Sequence, residues 1–299
     1  SVSVASSVVT CLLGTAATAQ MPSSPIDLDH MESQLRVMDV LDGPAWATTS
    51  CTWLHTARGV TAGWVEARLA RKGPDSQAAS PLPDLSAELR KKNPDWRLLR
   101  LVLHDEGPEP LGAKRFPVNF FSVEPRPLLH ESQDVSVSLA TEEDRSAWQH
   151  LYVEYRAAQI PPGSLPYESD EAAADAVWGM SLRRQLPGTA DILVARGQDG
   201  AVLGAATVAR LPAADAAGAS APRGYLGDLF VSPTAHGKGV GRALMAEVMA
   251  RCKEMGFSEL CWYCLQSNEK AMSFYRNLGF VPTAATVWQY PEDAPSASG

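Results

Sequence analysis

No stretch of the 299 residues is long and apolar enough to cross a bilayer as a helix. Cysteine is scarce, and Cys11, Cys51, Cys252, Cys261 and Cys264 fall at spacings that make neither a zinc motif nor a disulfide framework. No metal site is expected from them. Basic residues are outnumbered, 26 Lys and Arg against 34 Asp and Glu, for a net charge of −8. That balance argues against a nucleic-acid-binding surface and is compatible with a cationic substrate. Membrane-embedded, disulfide-scaffold and nucleic-acid-binding classes therefore recede. What remains is a chain of 45% hydrophobic and 20% charged residues, the composition of a globular protein with room for one large domain or two ordinary ones.

The most informative stretch is Tyr225–Met245. Tyr225–Val231 is β-prone and is ended by Ser232-Pro233. A glycine-rich loop, His236-Gly237-Lys238-Gly239-Val240-Gly241, follows. Leu244, Val248, Cys252 and Met255 then recur at helical spacing, with Gly256 placed to cap the helix. Strand, glycine loop and helix N-terminus make an anion site, because backbone N–H groups converge where the helix dipole favours negative charge. Lys238 and Arg242 add positive charge there. The dinucleotide pattern fails because Arg242 stands where it needs glycine, and the P-loop fails at Ser232.

Elsewhere the chain is read in order. Residues 1–20 are Ser/Ala/Val-rich, with Ala17-Thr18-Ala19 resembling a cleavage site but no Lys or Arg before the apolar part; a leader or disordered segment is expected. Residues 21–134 form an N-terminal region of unknown function, an accessory domain or a degenerate second copy of the fold. Within it Trp64–Arg71 reads as a helix, Trp96–His104 as a strand or short helix, and Phe116–Val123 as a strand, with a polar loop over 73–83. His104-Asp105-Glu106 reads as a solvated turn, since three adjacent residues converge poorly on one ion. From Val135 come a strand, a helix capped by Thr141 and Asp144 with Trp148, Leu151, Tyr152 and Tyr155 inward, a second helix through Val177, and a hairpin turning at Asp199-Gly200. Cys261-Trp-Tyr-Cys264 lies in the strand Glu259–Leu265, where residues three apart face opposite sides; these are packing cysteines of a reducing compartment. Asn268 N-caps a further helix that ends at Gly279. Residues 292–299 are expected to be a disordered tail.

The loop His236–Gly241 resembles motif A of the GNAT superfamily of acetyl-CoA-dependent N-acyltransferases, Q/R-x-x-G-x-G/A, with His236 where that family has Gln or Arg. Asn268–Phe280 resembles its motif B, N-x-x-A-x-x-F-Y-x-x-x-G-F, at every marked position. Asp144-Arg145-x-x-Trp148 is similar to the histone/polyamine branch. The resemblance covers about residues 135–290 and implies an α/β fold: a mixed, mostly antiparallel sheet splayed between its fourth and fifth strands, with flanking helices, beside an uncharacterised N-terminal segment. Residues 135–291 would be the acetyltransferase domain.

The resemblance also implies chemistry. Backbone of Leu229, Phe230 and Val231 would bond pantetheine and polarise the acetyl carbonyl, and the 237–242 amides (Gly237, Lys238, Gly239, Val240, Gly241, Arg242), with His236, would hold pyrophosphate. Asn268 would contact acetyl-CoA, and Tyr275 would protonate the departing thiolate. Asp228, just before the splay, is the local candidate for a general base, for a group binding the substrate's cation, or for a structural carboxylate. An unshifted aspartate, at a pKa of about 4, is a poor acceptor of an ammonium proton. The expected acceptor is a polyamine-like small amine or a protein lysine. Residues 135–299 hold 13 Lys and Arg against 18 Asp and Glu, and Trp262 or Tyr263 could face a cation. Expected partners are thus an amine substrate but neither nucleic acid nor membrane, with a homodimer allowed and a cytoplasmic location. The competing reading is a catalytically silent acyl-CoA-binding module whose function lies in residues 21–134.

Overall fold

The computed structural model describes residues 33–38, 46–57, 60–71, 96–103, 114–130, 134–159, 169–181, 190–211 and 222–290. The expectations for the 1–20 leader, the 73–83 loop, His104-Asp105-Glu106 and the 292–299 tail lie outside these residues. The strands are β1 (Ser33–Met38), β2 (Trp46–Ala57), β3 (Val60–Arg71), β4 (Trp96–Leu103), β5 (Lys114–Val123), β6 (Ser136–Leu139), β7 (Ala190–Arg196), β8 (Val202–Leu211), β9 (Arg223–Val231), β10 (Glu259–Leu265) and β11 (Thr283–Tyr290). The helices are α1 (Arg145–Gln159), α2 (Asp170–Ser181), α3 (Val240–Glu254) and α4 (Glu269–Asn277). They fall in two compact units: one contains Asn119–Pro282, the other the described residues from Ser33 to Val118 together with Thr283–Tyr290.

In the N-terminal unit β1 and β3 flank β2 antiparallel, β3 runs parallel to β4, and β4 pairs antiparallel with β11. Trp64–Arg71, expected as a helix, is the second half of β3. Val65, Ala67 and Leu69 alternate with Glu66 and Arg68, a period of two. Partner pairing decides the outcome, because β2 matches β3 residue for residue from Trp46–Arg71 to Ala57–Val60. Trp96–Leu103, expected as a strand or short helix, is a strand.

The unit over Asn119–Pro282 has the GNAT fold. Strands β6, β7, β8 and β9 are successively antiparallel, β10 is parallel to β9, and β5 lies on the far side of β10. The central strands are mostly apolar because both faces are covered, with Asp191, Thr207 and Asp228 as buried exceptions. On β7, Ile192 and Val194 pack with Trp148, Tyr152 and Trp178 of α1 and α2. The alternate residues Leu193 and Ala195 join Leu244, Val248 and Cys252 of α3. On β9, Phe230 belongs to the first cluster and Leu229 to the second. Side chains that alternate across a strand thus serve two helical layers.

Local signals end the helices as expected. Asp144 Oδ2 accepts from the Thr141 amide at 2.7 Å and from its hydroxyl at 3.0 Å, so the box precedes α1 by one 3-10 turn. The Ser169 hydroxyl accepts from the Ala172 amide to cap α2. After α3, Gly256 (φ 68°) donates to Lys253 and Phe257 to Cys252; after α4, Gly279 donates to Arg276 and Phe280 to Tyr275. Both closures take glycine in the left-handed region.

The Asp144–Trp148 spacing is absorbed by this architecture. Asp144 is buried and also accepts from Arg196, Nε at 3.2 Å and Nη2 at 2.5 Å, while Trp148 is fully buried against Tyr152. Burial raises the Asp144 pKa, but the Thr141 amide, the Arg196 guanidinium and the Thr141 hydroxyl together hold it below the usual aspartate value. A carboxylate depressed in the folded state stabilises above its unfolded pKa and loses that contribution as pH falls through the folded one. Asp144→Asn is therefore expected to cost about 2 kcal/mol near neutral pH. The gap from the parent should close as pH falls below about 4; denaturant melts at pH 7 and pH 3 read the difference.

Candidate active site

Parallel pairing of β9 with β10 covers three positions, Arg223–Glu259, Gly224–Leu260 and Tyr225–Cys261. Beyond them β9 continues to Val231 and β10 to Leu265 without mutual pairing. The divergence begins beside a bulge: Thr207 opposes Asp228 and Val208 opposes Leu226, leaving Gly227 outside the ladder. An extra residue bends and twists its strand, and here it re-aims Asp228–Val231. The splay expected between the fourth and fifth strands is thus present.

At the far end of β9 the chain makes a 3-10 turn, Pro233–Ala235, and enters the glycine loop. Gly237 (φ 77°) and Gly239 (φ 81°) both occupy the left-handed region that L side chains avoid, and a Cβ on Gly237 would meet nothing within 4 Å. Gly239 is the N-cap of α3, and its carbonyl receives the first helical bond, from Ala243 at 2.9 Å. The amides of Val240, Gly241 and Arg242 have no carbonyl one turn back within the helix. Lys238 and Arg242 are exposed beside them, and Arg242 Nη1 donates to the Leu129 carbonyl at 3.3 Å. A loop open to solvent, with converging amides and two cations, is an anion cradle. His236 does something different from what its place in the motif suggests. Its Nε2 lies 3.0 Å from the Val231 carbonyl, which can only accept, so the ring donates and ties the loop back to β9.

Across the splay, Asn268 accepts from the Ala271 amide through Oδ1 at 3.1 Å and caps α4. About two turns further on, Tyr275 is fully buried among Phe121, Trp262 and Phe274, with ring centroids at 5.0, 5.1 and 5.4 Å. Its hydroxyl has no hydrogen-bond partner among the described residues. Burial first, then the Cys264 thiol and the Asp228 carboxylate, push its pKa well above the ordinary tyrosine value. The phenol stays protonated across the physiological range and can donate. Asp228 is buried on β9 within electrostatic reach of that phenol. Opposite Asp228 in register, the buried Thr207 hydroxyl has no partner among the described residues.

Two expectations change here. Trp262 and Tyr263 are both buried and packed on protein rings, Trp262 stacked at 4.8 Å on Phe121 and Tyr263 at 4.9 Å from Phe120, so neither is an open face for a cation. Cys261 and Cys264 are buried thiols on one strand, Cys261 donating to the Gly224 carbonyl at 3.5 Å, and burial lifts Cys264 to about 12, consistent with packing. Among the described residues no cluster of His, Cys, Asp and Glu is gathered to hold a metal, and no helix is long and apolar enough to cross a membrane.

Sequence reasoning did not single out Arg156. It sits four residues after Tyr152 on α1, hence on the inward stripe of Trp148, Tyr152 and Tyr155. Its side chain is 0% exposed. A charged residue in register with an apolar stripe was the available signal.

Residues 140–280 match the model of the acetyltransferase (GNAT) family. They form a GNAT domain. Two curated proteins align with parts of the chain: the mycothiol acetyltransferase of Renibacterium salmoninarum, 35% identical over 78 residues, and that of Cellulomonas flavigena, 33% identical over 102. The alignments take in 24% and 33% of this chain but only 23% and 29% of those relatives' own length. In fold, the chain is similar to a functionally unknown conserved protein from Staphylococcus epidermidis, with a TM-score of 0.51 at 12% identity over 85% of this chain and 93% of that one. It is also similar to a tandem GNAT protein from the clavulanic acid biosynthesis pathway, with a TM-score of 0.50 at 14% identity over 86% of each chain. These two likenesses concern fold alone.

In this GNAT domain the loop backbone and its charge can be tested separately. Gly239→Ala forces an L residue into the left-handed region and should cost about 1–2 kcal/mol, lowering Tm while acetyl-CoA binding persists. Gly239→Glu carries the same strain plus a negative charge at the cradle, and calorimetry should find acetyl-CoA binding abolished in a folded protein. Unchanged affinity in Gly239→Glu would contradict an anion cradle here.

Proposed function

We propose that the GNAT domain transfers an acetyl group from acetyl-CoA to a primary amine by direct attack. The observation that carries this reading is the separation of β9 from β10 after Tyr225–Cys261, with the glycine cradle at one end and the unpartnered Tyr275 hydroxyl beside it. An unsatisfied buried hydroxyl costs free energy unless something else bonds it, and a departing thiolate is such a partner. The family match and the acetyltransferase names of the two curated relatives support the same chemistry.

In this proposal the amides of residues 237–242, with Lys238 and Arg242, hold the pyrophosphate. His236 acts indirectly, by fixing the loop on Val231. The re-aimed backbone of Leu229, Phe230 and Val231 bonds pantetheine and polarises the thioester carbonyl. Asn268 supports the donor side as the cap of α4, leaving its amide nitrogen for the cofactor. As the neutral amine attacks, the C–N bond forms and the C–S bond breaks; Tyr275 gives its proton to the sulfur. The proton lost by the amine leaves through Asp228 or a water it orients. The acceptor classes remain a polyamine-like amine or a lysine-type amine. The Asp144–Trp148 pattern does not choose between them, since those side chains build α1. We take the reaction to be cytoplasmic, where the buried thiols of Cys252, Cys261 and Cys264 stay reduced.

We also propose that the N-terminal unit, Ser33–Val118 with β11, is a second, diverged copy of the fold. The order antiparallel β1–β2–β3 followed by parallel β3–β4 repeats that of β7–β8–β9–β10. Likeness to a tandem GNAT protein over most of the chain supports it.

Free-thiol release from acetyl-CoA, measured with a panel of primary amines, tests the transfer. Amine-dependent release is expected; acetyl-CoA affinity without it would make the domain a silent binder. Tyr275→Phe should leave acetyl-CoA affinity within a few-fold and lower kcat on the order of 10²-fold. A tyrosine serving only the core would instead lose Tm with kcat nearly unchanged.

A further inference from the structure

Taking the proposed acetyl-CoA cradle as given, we propose that the connector after β5 completes the cofactor site, with Leu129 as an apolar platform for the adenosine end of acetyl-CoA. The connector, residues 124–130, lies ahead of residue 140, where the family match begins. Side chains and backbone both seat it. The Arg126 guanidinium carbon is 5.9 Å from the centroid of the Phe280 ring, just past α4. Leu128 packs, partly buried, against the core of the GNAT domain. The Leu129 carbonyl accepts from Nη1 of Arg242, in the first turn of α3, at 3.3 Å. Pro125 and Pro127 flank Arg126, and the fixed φ of each stiffens the segment between its anchors. The Leu129 side chain is left 84% exposed.

A single exposed leucine is ordinary on a protein surface. Its position gives this one a use. The cradle loop is tethered at both ends: His236 Nε2 lies 3.0 Å from the Val231 carbonyl of β9, and Arg242 reaches the connector. In the proposed complex the pyrophosphate sits between these tethers and pantetheine leaves along β9. The nucleoside is joined to the other phosphate, so it leaves on the Arg242 side, where the connector stands. A Cβ on Gly241 would meet the Phe274 ring at 3.2 Å, and one on Gly279 would meet Arg126 Nη2 at 3.6 Å. The first turn of α3, α4 and the connector are therefore contiguous.

The chemistry of the segment suits a nucleotide. A purine has an apolar face, and covering Leu129 with it removes apolar area of both partners from water. A platform already fixed by prolines and a backbone hydrogen bond has little freedom left to lose on binding. Of the five N–H donors of a guanidinium, the Leu129 carbonyl takes one from Arg242. The connector thus orients Arg242 while leaving its charge and its other donors for phosphate.

Calorimetry on the full chain with CoA and with 4′-phosphopantetheine, which lacks the nucleotide, tests this. Leu129→Ser alters an exposed side chain, so Tm should hardly move. Its CoA affinity should fall on the order of 10-fold, with 4′-phosphopantetheine affinity unchanged. Leu129→Trp offers a larger stacking face and should bind CoA several-fold more tightly, with CoA quenching more fluorescence than in the parent. Undiminished CoA affinity in Leu129→Ser, an equal loss for both ligands, or no added quenching in Leu129→Trp would overturn the platform. If the parent binds neither ligand, the cradle fails and the platform falls with it. If both ligands bind parent and Leu129→Ser alike, the cradle stands and the platform alone falls. If only CoA weakens in Leu129→Ser while no amine releases thiol, the platform stands and the acetyl-transfer reading fails.

Discussion

Parallel pairing between β9 and β10 stops after three residues, and the GNAT domain is built around that interruption. Backbone groups that leave a ladder must find other partners or water. Here they are released in the stretch where Gly227 bulges out of its pairing with β8 and Asp228–Val231 turns away from β10. The bulge keeps β9 in the sheet on one side while freeing it on the other. A continuous β9–β10 ladder would leave no room for a thioester between the strands, and the glycine loop would then cap an ordinary core helix.

The aromatic layers hold this opening in place. Phe121 stacked on Trp262 fills one side of β10, with Tyr275 and Phe280 against the same indole. Trp148, Tyr152 and Trp178 fill the other side of the domain, beneath α1 and α2. Close-packed interiors leave few positions where a polar atom goes unpaired. The Tyr275 and Thr207 hydroxyls, without a partner among the described residues, are therefore informative. Both lie near Asp228, at the re-aimed part of β9.

The last strand complicates a simple division of the chain at its midpoint. Thr283–Tyr290 follows the GNAT domain in sequence, yet it pairs with β4 and belongs to the N-terminal unit. Asn119–Val123, which precedes the domain, supplies its edge beside β10. The N-terminal unit thus takes its last strand from beyond its contiguous segment, and cutting the chain at residue 135 would strip a strand from both units.

Much of the domain was legible in local chemistry. The Thr141–Asp144 box, the Asn268 cap, the glycines after α3 and α4, and the His236–Gly241 loop act within a few residues, so sequence alone determined them. Trp64–Arg71 was misread because its alternation is short and its strand state comes from pairing with β2, a partner that spacing within the segment cannot reveal. Tertiary structure alone decided which strand β11 joins, where β9 leaves β10, and that His236 bonds Val231 rather than facing outward. It also decided that Trp262 and Tyr263 are interior and that Arg156 is a buried cation paired with Asp170. Those outcomes depend on which surfaces meet across the fold, and burial, not residue type, turns a polar side chain into one that requires a partner.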